Sequence, residues 1–149
     1  MRAALDTNVL VYAEERSDKG DRIRQLMLSL SRRHVVVPAQ VCGELFNVLT
    51  KKAAFTAAQA VETIRNWRIV FQIADTTDDV MAAALDLAVE HRLPIWDAVV
   101  LAAASNTRCD LLITEDLHPG FRWRGVTVVN PFAEPLSPLL DAFLDQGRG

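Results

Sequence analysis

Short apolar runs alternate with stretches whose apolar residues recur every three or four positions, and this alternation confines the chain to one class of fold. Ala3-Ala4-Leu5 and His34-Val35-Val36-Val37, the latter stopped by Pro38, have the length and apolar content of buried strands. Between them, Asp21 is placed to cap a helix with Ile23, Leu26, Met27 and Leu30 on one face and Arg22, Arg24 and Gln25 facing outward. A further helix is expected from about Ala39 to Lys52, with Val41, Leu45, Val48 and Leu49 on one face. Thr56 followed by Gln59 is a capping-box signature that opens another through Ala60, Val61 and Ile64. Arg68 to Ile73 reads as a strand, and Thr76 or Thr77 starts an alanine-rich helix from Asp78 to His91. After Pro94 a very apolar helix, about Ile95 to Ser105, precedes strands at Asp110–Thr114 and Val126–Val129. The tail from Pro131, with three prolines, is expected to be irregular. Strands alternating with helices predict an α/β fold, a three-layer α/β/α sandwich around a mostly parallel sheet.

The length of 149 residues fits one domain spanning 1–149, and a 50% hydrophobic composition supplies its core. Sixteen Lys and Arg against nineteen Asp and Glu give a net charge of −3, so no overall positive field draws in a polyanion. Any such partner must be gripped locally. Cys42 and Cys109 lie far apart in apolar stretches and read as buried free thiols. Asp6, Thr7 and Asn8 interrupt the apolar N-terminus before an export signal can form, and the apolar run Ala98 to Ala104 is far below the ~20 residues that span a bilayer. A soluble, cytoplasmic protein without membrane contact is expected.

Four acids do not suit their surroundings. Asp6 directly follows an apolar strand, and the carboxyl ends of strands in open α/β sheets are where ligands bind. Asp116 stands two residues beyond Thr114, on the same edge if the strands run parallel. Glu44 interrupts the apolar side of its helix, and Asp97 opens a helix whose next seven residues are all apolar. Each has a local reading: Asp6 as a cap, Asp97 as an acid at a helix N-terminus, Asp116 as a turn residue, Glu44 as an arginine's partner. Those readings weaken together, because acids from distant parts of the chain all fall where one sheet edge or its neighbouring helices would lie.

Two carboxylates ~4 Å apart repel by about 4 kcal/mol at an effective dielectric near 20, a large share of the ~5–15 kcal/mol that holds a domain folded. A cation must offset this, or some acids stay protonated. Oxygen ligands without a cysteine pair or histidine cluster favour Mg²⁺ or Mn²⁺ over zinc. The waters that Mg²⁺ retains suit hydrolysis of phosphate esters.

These residues resemble a known family. Leu5-Asp6-Thr7-Asn8-Val9-Leu10 is similar to the opening motif of PIN-domain ribonucleases, in particular the VapC-type toxins of toxin–antitoxin pairs. Glu44-Leu45, Pro94-Ile95-Trp96-Asp97-Ala98 and Leu111-Leu112-Ile113-Thr114-Glu115-Asp116-Leu117 resemble the segments bearing that family's second, third and fourth acids, and Val129-Asn130-Pro131-Phe132 resembles its closing strand and turn. The threonine spacing favours Asp116 over the adjacent Glu115 as the fourth acid. The resemblance implies a metal-dependent endoribonuclease whose products carry a 5′-phosphate and a 3′-hydroxyl. Asp6 and Asp97 would hold Mg²⁺ directly; Glu44 and Asp116 would act through water, hold a second metal or orient the nucleophile. Asn8 and Thr114 are candidates to fix a ligand carboxylate or water by hydrogen bonds, or else serve local turns and caps. A cognate antitoxin and a homodimer are also implied, although Leu136, Leu139, Leu140 and Phe143 in the tail are equally able to pack on their own domain.

Basic clusters suited to tracking RNA phosphates are Arg32-Arg33, Lys51-Lys52, and Arg122 with Arg124 around Trp123. Trp67 and Trp96 read as core, and Trp123 is the best candidate to stack on a base. His34, His91 and His118 share no metal-ligand spacing, and no serine or cysteine lies in a nucleophile motif. A phosphoaspartate enzyme is disfavoured: Asn8 stands where such phosphatases need a second aspartate, and the only lysines are Lys19, Lys51 and Lys52. The remaining alternative is a PIN-like scaffold that binds RNA or protein without cutting.

Overall fold

The computed structural model describes residues 1–149. Six strands, β1 (Ala3–Leu5), β2 (Val35–Pro38), β3 (Gln72–Ala74), β4 (Leu111–Ile113), β5 (Arg122–Trp123) and β6 (Val126–Val129), form one sheet in the order β3-β2-β1-β4-β6-β5. Only β5 runs antiparallel. Flanking it are α1 (Thr7–Ala13), α2 (Asp18–Leu28), α3 (Ala39–Lys51), α4 (Ala57–Val70), α5 (Asp78–His91), α6 (Ile95–Asn106) and α7 (Pro138–Arg148). This is the expected α/β architecture with a mostly parallel central sheet.

Register decides where chemistry can occur. Ala4 pairs with both Val36 and Leu112, and Ile113 pairs with Leu5 and Val129. The carboxyl ends of β1, β2, β4 and β6 therefore line one edge. All of β1, β2 and β4 is buried, the mark of parallel strands covered on both sides. Ala98 to Ala104 on α6 are likewise buried without a break, as expected of a helix apolar all round.

Several boundaries differ from the sequence reading, each for a local reason. Ser17, not Asp21, caps α2, its hydroxyl accepting from Gly20 N at 3.0 Å. Asp21 lies inside the first turn and pairs with Arg24. The segment from Arg68 is helical through Val70, because the Thr56–Gln59 capping box starts a helix that the stacked rings of Trp67 and Phe71, one turn apart, carry to its end. The strand there begins only at Gln72.

The tail is not irregular throughout. Ser137 caps α7, Pro138 occupies its first turn, and Leu140, Phe143 and Leu144 are buried, while Leu136 and Leu139 pack against the same core. These apolar residues thus serve their own domain. Cys109 is buried, Cys42 is half-buried, and both are free thiols. No helix is long and apolar enough to cross a membrane.

Candidate active site

Two strand ends set the first part of the site. The Asp6 backbone N–H extends the ladder to Ile113 O at 3.1 Å, after which its side chain caps α1 by accepting from Thr7 N at 2.7 Å. Asp6 is only 4% exposed. Its other oxygen accepts from Thr114 Oγ1 at 2.8 Å, reaching across from β1 to the end of β4. The buried Thr114 hydroxyl in turn accepts from Asn8 Nδ2 at 2.9 Å and from Asp116 N at 3.1 Å. Asn8 also donates to Asp116 Oδ2 at 3.0 Å. The local and chemical readings of Asp6, Asn8 and Thr114 are therefore compatible: the caps and turn bonds themselves orient the carboxylates.

Helices bring the other two acids. Glu44 stands on the second turn of α3, where Gln40 Nε2, one turn earlier, donates to it at 2.9 Å and Thr7 Oγ1 donates at 2.8 Å. Sequence reasoning missed Thr7 and Gln40. The available signals were the i, i+4 spacing of Gln40 with Glu44 and the position of Thr7 beside a strand-end acid. Asp97 lies in the first turn of α6.

Electrostatics ties the acids together. Burial pushes the Asp6 carboxyl up to about 6 against the pull of its Thr114 and Thr7 hydrogen bonds, and repulsion from Asp97 and Glu44 adds to the rise. Burial also raises Asp97, with further repulsion from Asp116 and Glu44. Asp97 is thus coupled to each of the other three acids, and Asp6 also to Glu44. None of the four has an ion-pair partner, so the arginine contact that would explain Glu44 does not exist. No three acidic, histidine or cysteine side chains form a ready-made metal cage.

Glu115 faces elsewhere. Lys19 Nζ donates to it at 2.9 Å, and the Tyr12 hydroxyl donates to it as well. Burial works to raise the Glu115 carboxyl, but these two bonds outweigh it and hold it below its usual range. Lys19 also lies over the Tyr12 and Phe132 rings at 5.1 and 4.7 Å. Beside the acids a groove of about 550 Å³ runs between α1 and α3, lined by Val11, Tyr12, Val48, Lys52 and Glu15 among others.

The sequence candidates for RNA contact are redistributed. Of the basic clusters, Lys51-Lys52 ends α3 near this groove. Arg32-Arg33 precede β2, and Arg122 and Arg124 flank Trp123 across from the Val126–Thr127 start of β6, so both clusters lie toward the opposite sheet edge. Trp123 is 9% exposed with Arg124 over its ring at 4.5 Å, whereas Trp96, read as core, is 52% exposed beside Asp97. Position along α6 explains the reversal: Trp96 lies in the first turn, before the unbroken buried run Ala98–Ala104 begins.

Comparison with curated protein sequences gives no match. The model of the PIN domain matches residues 3–121, and the chain belongs to that family. Similar solved structures include a toxin–antitoxin complex from Klebsiella pneumoniae, 23% identical, covering 87% of this chain and 98% of that one with a TM-score of 0.66. FitAcB from Neisseria gonorrhoeae is 19% identical, covering 87% and 98%, with a TM-score of 0.67. VapC20 from Mycobacterium tuberculosis, a sarcin-ricin loop cleaving toxin, is 17% identical, covering 74% and 86%, with a TM-score of 0.64. At these identities the likeness is one of fold.

Proposed function

We propose that this chain is a divalent-metal-dependent endoribonuclease and the toxin of a toxin–antitoxin pair. One observation carries the reading: Asp97 is repelled by Asp116 and Glu44 and itself repels Asp6 where the carboxyl ends of β1 and β4 meet α3 and α6, and no side-chain cation pairs with any of the four acids. Membership of the PIN domain family and the solved neighbours, among them a toxin–antitoxin complex and an RNA-cleaving toxin, support it.

The residues fit a hard divalent ion. The donors are all oxygens, no side-chain cation pairs with them, and Asp6 and Asp97 are raised first by burial and then by their acidic neighbours, so a divalent ion would relieve that repulsion. Both Asp6 oxygens and both Glu44 oxygens already accept protein hydrogen bonds, which suits an ion that keeps several waters. Asp6 and Asp97 would hold Mg²⁺ or Mn²⁺. A bound cation of this kind supplies Lewis acidity to the phosphate and makes a water more acidic. Glu44, fixed by Thr7 and Gln40, and Asp116, fixed through Asn8, would orient the attacking water and accept its proton as its oxygen bonds to phosphorus, while the departing 3′ oxygen takes a proton from solvent water. Hydrolysis leaves a 5′-phosphate and a 3′-hydroxyl.

The protein partners follow from the same reading. Leu28, Ile69 and Val89 are each about four-fifths exposed on α2, α4 and α5, apolar surface available to a cognate antitoxin and to a second copy of the chain. Sedimentation at micromolar concentration tests the homodimer: a monomer removes it.

The activity is tested with purified, inhibitor-free protein and RNA in Mg²⁺ or Mn²⁺, repeated with EDTA and with Asp6→Asn. Cutting that needs the ion and Asp6 is expected. Metal-independent cutting, or undiminished cutting by the variant, rejects the mechanism, and no cutting of any RNA favours the non-catalytic scaffold.

A further inference from the structure

On the far side of Glu44 from the Tyr12 groove lies a second groove of about 590 Å³, lined by Gln40, Gly43, Glu44, Asn47, Thr76 and Trp96. Its chemistry differs from that of its neighbour. The Tyr12 groove is lined by Glu15, Glu44, Glu115 and Asp116 with Lys52 the one cation, whereas Glu44 is the only ionisable group in the second. A neutral, flat, hydrogen-bonding group suits the second groove better than a charged one.

Three features describe such a group. Trp96 presents a large aromatic surface, 52% exposed, on the residue next to Asp97. Asn47, exposed on α3, has no hydrogen-bond partner for its amide in the protein, so both its donor and its acceptor are free to read the edge of a planar ring. Gly43 forms the floor, where a Cβ would meet nothing within 4 Å. Glycine inside a helix costs about 0.5–1 kcal/mol relative to alanine, so an open floor here is kept against local propensity. One turn beyond Asn47 on the same helix face is Lys51, exposed and without an ion pair, in a position to meet a phosphate.

We propose that this groove is a nucleobase subsite for single-stranded RNA, in which an unpaired base next to the scissile phosphate stacks on Trp96 and is read by the Asn47 amide. The proposal rests on the nuclease reading for its phosphate, but the pocket's binding is separable from cutting. A paired base is excluded, because its Watson–Crick edge is occupied and its faces are stacked.

The test uses the 149-residue chain carrying Asp6→Asn to prevent hydrolysis, with circular dichroism to confirm folding, and follows tryptophan fluorescence as a single-stranded heptaribonucleotide is added in Mg²⁺. Trp96 is the only exposed tryptophan, so quenching reports this groove, and adding Trp96→Phe should remove most of that signal. Read by the fluorescence anisotropy of the same RNA carrying an end label, which needs no tryptophan, adding Trp96→Ala should weaken binding about tenfold or more. Adding Gly43→Leu, which fills the floor while favouring the helix, should do the same. In the otherwise native enzyme, Asn47→Ala should alter the preferred base at the cut with a smaller change in rate. Equal binding with and without Trp96→Ala and Gly43→Leu, equal binding of a duplex, or no binding at all overturns the subsite. If the native chain cuts no RNA yet the quench and its loss are seen, the subsite stands and the nuclease reading falls. If RNA is cut with unchanged rate and base preference by both groove variants, the nuclease stands and the subsite falls.

Discussion

Thr114 Oγ1 donates to Asp6 Oδ2 at 2.8 Å across 108 residues of chain, joining the carboxyl ends of two paired strands through one buried hydroxyl. The same oxygen accepts from Asn8 and from the Asp116 backbone, so a single side chain sets the geometry on both sides of the acid cluster. Thr114→Val keeps the shape but leaves three buried or half-buried polar groups without this partner. A loss of roughly 2–4 kcal/mol is expected in urea denaturation, with Thr114→Ser restoring most of it. Equal stability of the valine variant would show that the hydroxyl is dispensable.

The raised Asp6 carboxyl makes the metal-free fold sensitive to pH. Burial holds the folded Asp6 carboxyl at about 6 against 3.8 for a free aspartate side chain, so the folded state holds the proton more tightly than the unfolded state. Between those values the native state binds more protons, and stability contributed by this group falls as pH rises through the window, by about 3 kcal/mol in full. In EDTA the chain should thus lose stability from pH 4 to pH 7 through this group, and Asp6→Asn should flatten the curve over that range. Parallel curves for the two proteins would refute the assignment.

The sheet was legible because its strands are buried on both faces and announce themselves as apolar runs, and the acids because charge is conspicuous beside them. What escaped has a physical cause. Helix α1 is only seven residues, too short for a period, and its cap, Asp6, is also the first acid. Helix α7 was hidden by prolines, although Ser137-Pro138 is a cap followed by a first-turn proline. The Thr7 and Gln40 bonds to Glu44 join β1, α1 and α3, and tertiary proximity of that kind has no signature in spacing alone. Trp96 and Trp123 exchanged roles because local charge says little about which side of an element faces the core.

Glu115 and Asp116 are adjacent, yet their surroundings assign them different work. Glu115 is bound by Lys19 and Tyr12, whereas Asp116 repels Asp97 across the site. If RNA is cut, Glu115→Gln should keep activity within about tenfold, and Asp116→Asn should lose about 10–100-fold or more. The reverse order, measured as kcat/KM on one RNA, would move the fourth role to Glu115.

Gly20 places Lys19. A Cβ at Gly20 would approach Glu15 O to 2.3 Å and Tyr12 O to 2.7 Å, so α2 sits against the end of α1 only because that atom is missing. Gly20→Ala gains helix propensity but must push α2 away from backbone, and a net destabilisation of about 1–3 kcal/mol follows. The Lys19–Glu115 contact should loosen with it, which a rise in the Glu115 carboxyl followed by NMR would report. A variant as stable as the parent, with Glu115 unmoved, would place α2 farther from α1.

Binding of the divalent ion offers a readout independent of cutting. An ion that binds the folded acids and not the unfolded chain stabilises by RT ln(1 + [L]/Kd), about 2.7 kcal/mol at a hundredfold excess over Kd. For a chain of this length that raises Tm by roughly 5–10 °C. The rise should be clear at pH 7.5 in Mg²⁺ or Mn²⁺ and reversed by EDTA. At pH 5 it should shrink, because Asp6, titrating at about 6, is then mostly protonated and the ion must displace that proton. Asp97→Asn removes a proposed ligand and relieves Asp6 of one repulsion, so the variant should be more stable than the parent without metal and gain less from it. A rise in Tm of equal size in parent and variant would place the ion elsewhere on the protein.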